Sequence, residues 1–375
     1  MNRLRYFLLA LMGLLPLASF SQTVSTLAPA GSGMDDAMLL DSAGNIYSAS
    51  YDNGIIYRTT PTGQTSVFAT GFSAANGLEW DHLGNLVVCD NTGTGIYKIA
   101  PDTTISLFVP MVNSSGVIKD PLSDTLYVTQ YVGNTIWKIA PDTTQIMVAQ
   151  GNGLDGPVGL AWDENNDLLV GNFNNSQVYK IDRAGNMSLI GTYTGGGRLG
   201  FIVYKDGYIY GTSFTSHRIN RMDTLGNTQL VAGSLGGQVD GPALSARFNR
   251  PNGIIFSPGK DSLYITDYGS KSIRVITGLD SIGLVGIPEV DLSGWSLEAG
   301  PNPAHDLLKV SYELPEAGDA WIRVYDISGR EVIDHPLPGS GPNSALINVE
   351  HLAPGAYHLS LEAKGLRKTT KVVIQ

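Results

Sequence analysis

The sequence predicts an all-β chain, a six-bladed β-propeller followed by a small C-terminal β-sandwich, on three observations. A phrase of short apolar strands separated by Asp, Gly and Asn turns returns about every 40 residues. Glycine supplies 45 of 375 residues and charged residues only 15%, which suits many tight turns rather than helices. The pattern then dissolves near residue 278 and a different strand text follows. Four short strands per unit at this period describe a propeller blade. One blade cannot cover both faces of its own sheet, so the copies must close into a ring.

Residues 1–21 read as a secretory signal peptide. Asn2, Arg3 and Arg5 form a basic start, residues 6–17 an apolar run too short for a bilayer span, and Ser19-Phe20-Ser21 a small-x-small cleavage pattern before Gln22. No other stretch could cross a membrane. The next residues, Thr23–Ala28 (TVSTLA), match the closing strands TSVFA and ISLFV of the repeats. They are expected to complete the last blade, a place for which residues 281–286 compete.

The propeller is assigned to residues 22–278. Its six copies begin near Asp35, Ala75, Ser114, Pro157, Arg198 and Pro251. Aligned second-strand positions are Tyr47, Val87, Tyr127, Leu169, Tyr210 and Tyr264, separated by 40, 40, 42, 41 and 54 residues, the last step enlarged by a loop over residues 236–251. The lone cysteine, Cys89, lies in an apolar strand and reads as a small buried hydrophobe. A net charge of −10 argues against nucleic acid and anionic membrane surfaces as partners. A monomer is expected.

One ring of positions stands out. Ser50, Asp90, Gln130, Asn172, Ser213 and Asp267 end the six second strands and all are polar among apolar neighbours. They either satisfy backbone groups at the blade tops or form a polar lip at the channel mouth, together with Ser115, for a carbohydrate, peptide or other small ligand. Tyr57, Tyr97, Trp137 and Tyr179 recur in the third strand, a placement that suits packing between blades. Lys98, Lys138 and Lys180 follow them and are expected to face solvent. Asp-Ser and Asp-Thr pairs such as Asp41-Ser42 and Asp223-Thr224 fall where turns are required, and turn chemistry explains them as well as glycan attachment does. The sequence shows no Ser-His-Asp arrangement, Cys/His cluster or phosphate-binding glycine loop, so catalytic residues stay unassigned.

The segment GQVDGPALSARFNRPNGIIFSPGKDSLYITDYGSKSIRVI resembles an NHL repeat, and its PNGIIFSPGKDSLYITD portion is also similar to the senescence-marker/gluconolactonase propellers. Both resemblances imply a six-bladed ring in which the residue before each inner strand projects to the channel mouth: Asp36, Asn76, Ser115, Val158, Leu199 and Asn252. The gluconolactonase resemblance implies a divalent cation (calcium, magnesium or zinc) held by Asp36, Asn76 and Asn252, at a site hydrolysing a lactone. Val158 and Leu199 depart from it, standing where that family places a ligand and an acid. The Asn-Gly pairs at Asn76 and Asn252 have a simpler account as tight entrance turns with left-handed geometry.

Residues 279–296 read as a linker and residues 297–375 as the sandwich. The latter resembles the type A sorting domain of type IX secretion in Bacteroidota, through Pro301-Asn302-Pro303, VYDISGREV with Asp326 and Gly329, LAPGAYHLSL with Gly355, and the basic-apolar last strand. That resemblance implies the type IX machinery as a partner and a secreted or outer-membrane-surface location. The reading is thus a secreted propeller that binds an extracellular polymer, peptide or small molecule at its mouth, with a metal-dependent lactonase as the alternative.

Overall fold

A computed structural model describes residues 22–195, 197–279, 295–314, 320–326, 331–337, 341–363 and 366–375. The signal peptide, residues 281–286, most of the linker and Gly329 lie outside the described residues. The chain divides between residues 286 and 287 into two compact units.

The first unit is six antiparallel sheets. Blade two shows the pattern, with strands Ala75–Trp80, Leu86–Asp90, Gly95–Ile99 and Ile105–Pro110 in sequential order. Burial falls from the axis outward: Leu86–Asp90 is buried throughout, while Ile105–Pro110 is mostly exposed. The inner strands, beginning at Met38, Ala75, Ser114, Pro157, Leu199 and Pro251, touch one another in succession, and the first meets the sixth. The expected blade starts are met to within a few residues.

Blade six is closed by the strand Thr23–Ala28. Its own strands are Pro251–Phe256, Leu263–Asp267 and Ser272–Thr277, and Thr23–Ala28 pairs antiparallel with the last of these, Thr23 opposite Thr277. The loop over residues 236–251 reinforces this seam. Asp240 accepts from the Thr26 amide at 3.0 Å and the Thr26 hydroxyl at 2.9 Å, and it also pairs with Arg274. Arg274 is fully buried, yet its guanidinium is also bonded to the carbonyls of Arg247 and Val239 and to Asp267. A buried cation of this kind is tolerated because two carboxylates and two carbonyls meet its terminal nitrogens, although its Nε has no partner.

Aromatic pairs staple neighbouring blades. Tyr47 meets Trp80 edge-on at 5.2 Å, and Tyr127 meets Trp162 at 5.0 Å. Each indole N–H then donates to a carbonyl of the preceding blade, Trp80 to Leu40 and Trp162 to Lys119, both at 2.8 Å. Lys98 and Lys180 pair with Asp81 and Asp167 rather than forming a basic patch. Burial pushes the Cys89 thiol up to about 12, so it packs as an inert hydrophobe. Asp41 and Asp223 each accept two backbone amides within their turns.

The second unit is a sandwich of a three-stranded sheet (Ser296–Gly300, Leu307–Leu314, Gly341–Asn348) and a four-stranded one (Ala320–Tyr325, Glu331–Leu337, Gly355–Ala363, Leu366–Ile374). Alternate residues, Leu308, Val310 and Tyr312 on one sheet and Ile322, Val324, Leu359 and Leu361 on the other, make its core. Asn302, between Pro301 and Pro303, grips the last strand, donating to the Lys371 carbonyl at 3.1 Å and accepting from the Val373 amide at 2.8 Å. Gly355 opens the strand to which Leu366–Ile374 pairs along its length. Asp326 directly follows Ala320–Tyr325. Among the described residues no helix is long and apolar enough to cross a membrane.

Candidate binding site

Five of the six inner strands, all but Met38–Leu40, break their ladder near the axis. The pairing skips from Ala75 to Leu78, from Ser114 to Val117, from Pro157 to Gly159 and from Pro251 to Ile254. Such bulges re-aim a side chain. Here they release Asn76, Ser115, Val158 and Asn252, which line one central cavity with Asp36. The glycine after each released residue exists for close approach. A Cβ on Gly116 would sit 1.9 Å from the Val158 carbonyl oxygen, and one on Gly253 would sit 2.2 Å from that of Asp36. Neither asparagine has the left-handed geometry the turn account required, and both lie within strands. Threonines lock the bulges to the next blade: Thr266 takes the Gly253 amide at 2.7 Å and donates to the Asp36 carbonyl at 2.8 Å.

The floor draws on four consecutive blades. Asn252 donates its amide Nδ2 to Asp36 Oδ1 at 3.0 Å. Asp36 is 3% exposed, and burial, with the neighbouring Asp35 charge, raises its carboxyl well above the ordinary value. Three more atoms here, Asn76 Oδ1, Ser115 Oγ and Asn252 Oδ1, are buried with no hydrogen-bond partner. Asp35 is separate: its carboxylate accepts from the Tyr51 amide at 2.7 Å, the Ser50 hydroxyl at 3.2 Å, and Lys271. Burial raises Asp35 as well, opposed by the Lys271 ammonium and the Tyr51 amide.

The expected polar ring does not line this cavity. Ser50, Asp90, Asn172, Ser213 and Asp267 are buried and turned to their surroundings. Asp90 accepts the Ala74 amide at 2.7 Å, Asn172 donates to Gly153, Ser213 accepts from Asn220, and Asp267 accepts the Asn249 amide. Gln130 donates to the Val112 carbonyl and accepts from Thr135 and Trp137. Of the residues expected at the lip, Ser115 alone lines the cavity. The wall is made by the residue that follows each ring member: Tyr51, Asn91, Tyr131, Phe173, Phe214 and Tyr268.

These side chains form a near-continuous hoop. Ring centroids are 6.0 Å apart between Tyr131 and Phe173, 5.6 Å between Phe173 and Phe214, and 5.4 Å between Phe214 and Tyr268. The Tyr51 hydroxyl donates to Asn91 Oδ1 at 3.2 Å across the next blade boundary. Blade five departs from the expected floor. Leu199 pairs in the ladder with Ser213 and is fully buried among apolar residues, so the preceding Arg198 lines the cavity instead, its guanidinium 5.3 Å from the Phe173 ring. The cavity volume is about 280 Å³.

The implied divalent cation can be tested against this donor set. A hard cation needs several oxygens, usually more than one of them anionic. Among the described residues Asp36 is the only carboxylate lining the cavity, and it meets the nitrogen of Asn252, not its oxygen. Val158 supplies no donor, and no group of three His, Cys, Asp or Glu side chains that could hold a metal exists among the described residues. The residues do not fit a catalytic metal of the lactonase kind.

Residues 300–375 match the family model of the secretion system C-terminal sorting domain. The chain matches no curated protein. Among solved structures, an auxiliary nutrient binding protein from Bacteroides ovatus is 17% identical with a TM-score of 0.59, covering 68% of this chain and 76% of that one. A gluconolactonase from Xanthomonas campestris is 14% identical with a TM-score of 0.54, covering 68% and 89%. A catalytically inactive virginiamycin B lyase from Staphylococcus aureus, with quinupristin, is 16% identical with a TM-score of 0.51, covering 64% and 80%. Likeness at this identity establishes the propeller fold alone. The sorting domain marks the chain for type IX export to the cell surface or the medium.

Proposed function

We propose that this type IX-exported six-bladed propeller is a binding protein that holds a small organic ligand in its central cavity. One observation carries the reading: an aromatic hoop stands above a floor of buried polar atoms that lack partners within the protein. Such a cavity is pre-formed and amphipathic, as small-molecule sites are. The nutrient-binding description of the Bacteroides neighbour agrees with this reading. Residues 1–21 would first deliver the chain to the periplasm as a signal peptide, and the sorting domain would then take it across the outer membrane. Thermal-shift screening of the purified chain against a broad metabolite, glycan and peptide library tests the reading. Stabilising hits that disappear in Phe214→Ala are expected. A library without a single such hit would remove it.

A further inference from the structure

The lining chemistry narrows the ligand further, an argument that rests on the cavity being a binding site. The space of about 280 Å³ lies just below the roughly 300–1,000 Å³ typical of small-molecule sites. It takes a single ring with substituents rather than a long chain. Tyr131, Phe173, Phe214 and Tyr268 offer tilted ring edges and faces suited to aliphatic C–H groups of a saturated ring. At the floor, Asn76 Oδ1, Ser115 Oγ and Asn252 Oδ1 have no partner. Two of these are pure acceptors and call for O–H or N–H groups from a ligand.

Charge points the same way. Two charged side chains line the cavity, Asp36 and Arg198. Asp36 already accepts from Asn252, and Arg198 stacks over Phe173. The nearby Lys271 ammonium is engaged by Asp35 and Asp52. An anionic ligand would find one exposed guanidinium with a carboxyl below it. A hydrocarbon would leave three buried polar atoms unsatisfied.

We propose that the cavity binds an uncharged hydroxylated ring, the chemistry of a neutral sugar residue, without a divalent cation. Hydroxyls donate to the amide oxygens of Asn76 and Asn252 and exchange hydrogen bonds with Ser115. The ring body lies against Phe214 and its aromatic neighbours.

The test is calorimetric titration and saturation-transfer NMR on the purified full chain. Probes are neutral sugars (glucose, galactose, mannose, N-acetylglucosamine, cellobiose), two uronic acids and calcium chloride alone. At least one neutral sugar should bind, with saturation reaching its ring protons. Chelator should change its Kd by less than about twofold, and Phe214→Ala should weaken it about tenfold. Leu225→Gln, at an exposed turn position outside the cavity, is the control and should leave it unchanged. Binding confined to uronic acids, or a calcium requirement, would overturn the neutral-sugar assignment while leaving a binding site in place. Silence from every sugar also overturns it, and the library screen then decides the broader reading separately.

Discussion

Asn252 of blade six and Asp36 of blade one, 216 residues apart in sequence, share a 3.0 Å hydrogen bond at the floor of the channel. The bond lies where the ring closes, so the site and the seam of the toroid share residues. Replacing Asn252 with Leu removes the donor and leaves the buried Asp36 carboxyl unmatched, a loss of about 1–3 kcal/mol. Urea denaturation should show a lowered midpoint with an unchanged slope, and ligand hits of the wild type should vanish. An Asn252→Leu chain that is as stable as the wild type would mean the pair does not hold the seam.

Gly116→Ala places a methyl 1.9 Å from a backbone oxygen of the next blade, where no side-chain motion relieves it. The inner strands must separate, and a loss of about 3 kcal/mol is expected, the upper end of over-packing costs. Gly259→Ala is the control: its nearest neighbour is 3.8 Å away, so no loss is expected. Calorimetric melting distinguishes the two directly.

Asp240→Ala removes two bonds to Thr26 and an ion pair to the buried Arg274. Because Asp240 is itself half exposed, the expected cost is moderate, about 1–3 kcal/mol. The early-exchanging amides in hydrogen-exchange mass spectrometry should then include Thr23–Ala28. Unchanged protection of that strand would show that the ladder alone holds it.

Asp267 gives a pH dependence with a definite sign. Burial raises its carboxyl to about 6, against the pull of the Asn249 amide and of Arg274. The folded state therefore holds a proton that the unfolded chain, with a carboxyl near 3.9, has released. Stability from this group is greatest below the unfolded value and is lost as pH rises through about 6. Asp267→Asn should flatten the stability profile between pH 4 and 6, read from melting temperatures at fixed ionic strength. A wild-type profile rising across that window, with the slope absent in Asp267→Asn, would reverse the assignment.

Loss of residues 297–375 should leave the propeller in the periplasm, detected by fractionation and immunoblotting. Asn302→Ala, which releases two bonds to the last strand, should reduce export in part. Normal export of the truncated chain would sever the sorting domain from transport.

Much of the fold was legible because its determinants are local. Turn residues and strand lengths repeat in each blade, and the alignment carried Asp36, Asn76, Ser115 and Asn252 onto one floor. The wall was missed by a single residue. Polar side chains ending the second strands drew attention, yet alternation turns them into backbone contacts and sends the next residue to the axis. The sequence did hold a clue: Tyr51, Tyr131, Phe173, Phe214 and Tyr268 recur at the same spacing as the polar ring. Leu199 failed for a related reason: it opens the ladder opposite Ser213, one residue later than the alignment placed the strand, so Gly200 takes the place that Asn76 and Asn252 hold in their blades. Gly77 and Gly253 resisted a local reading altogether, because what they accommodate is the backbone of another blade.

The clasp between Thr23 and Thr277 spans 254 residues of sequence. Each blade can zip up from neighbours close in the chain, but this fastening waits until the two ends of the propeller meet. A tag fused ahead of Thr23 would therefore emerge from the outer edge of blade six. Trimming six residues from that end would leave a finished stack of blades with nothing to latch it.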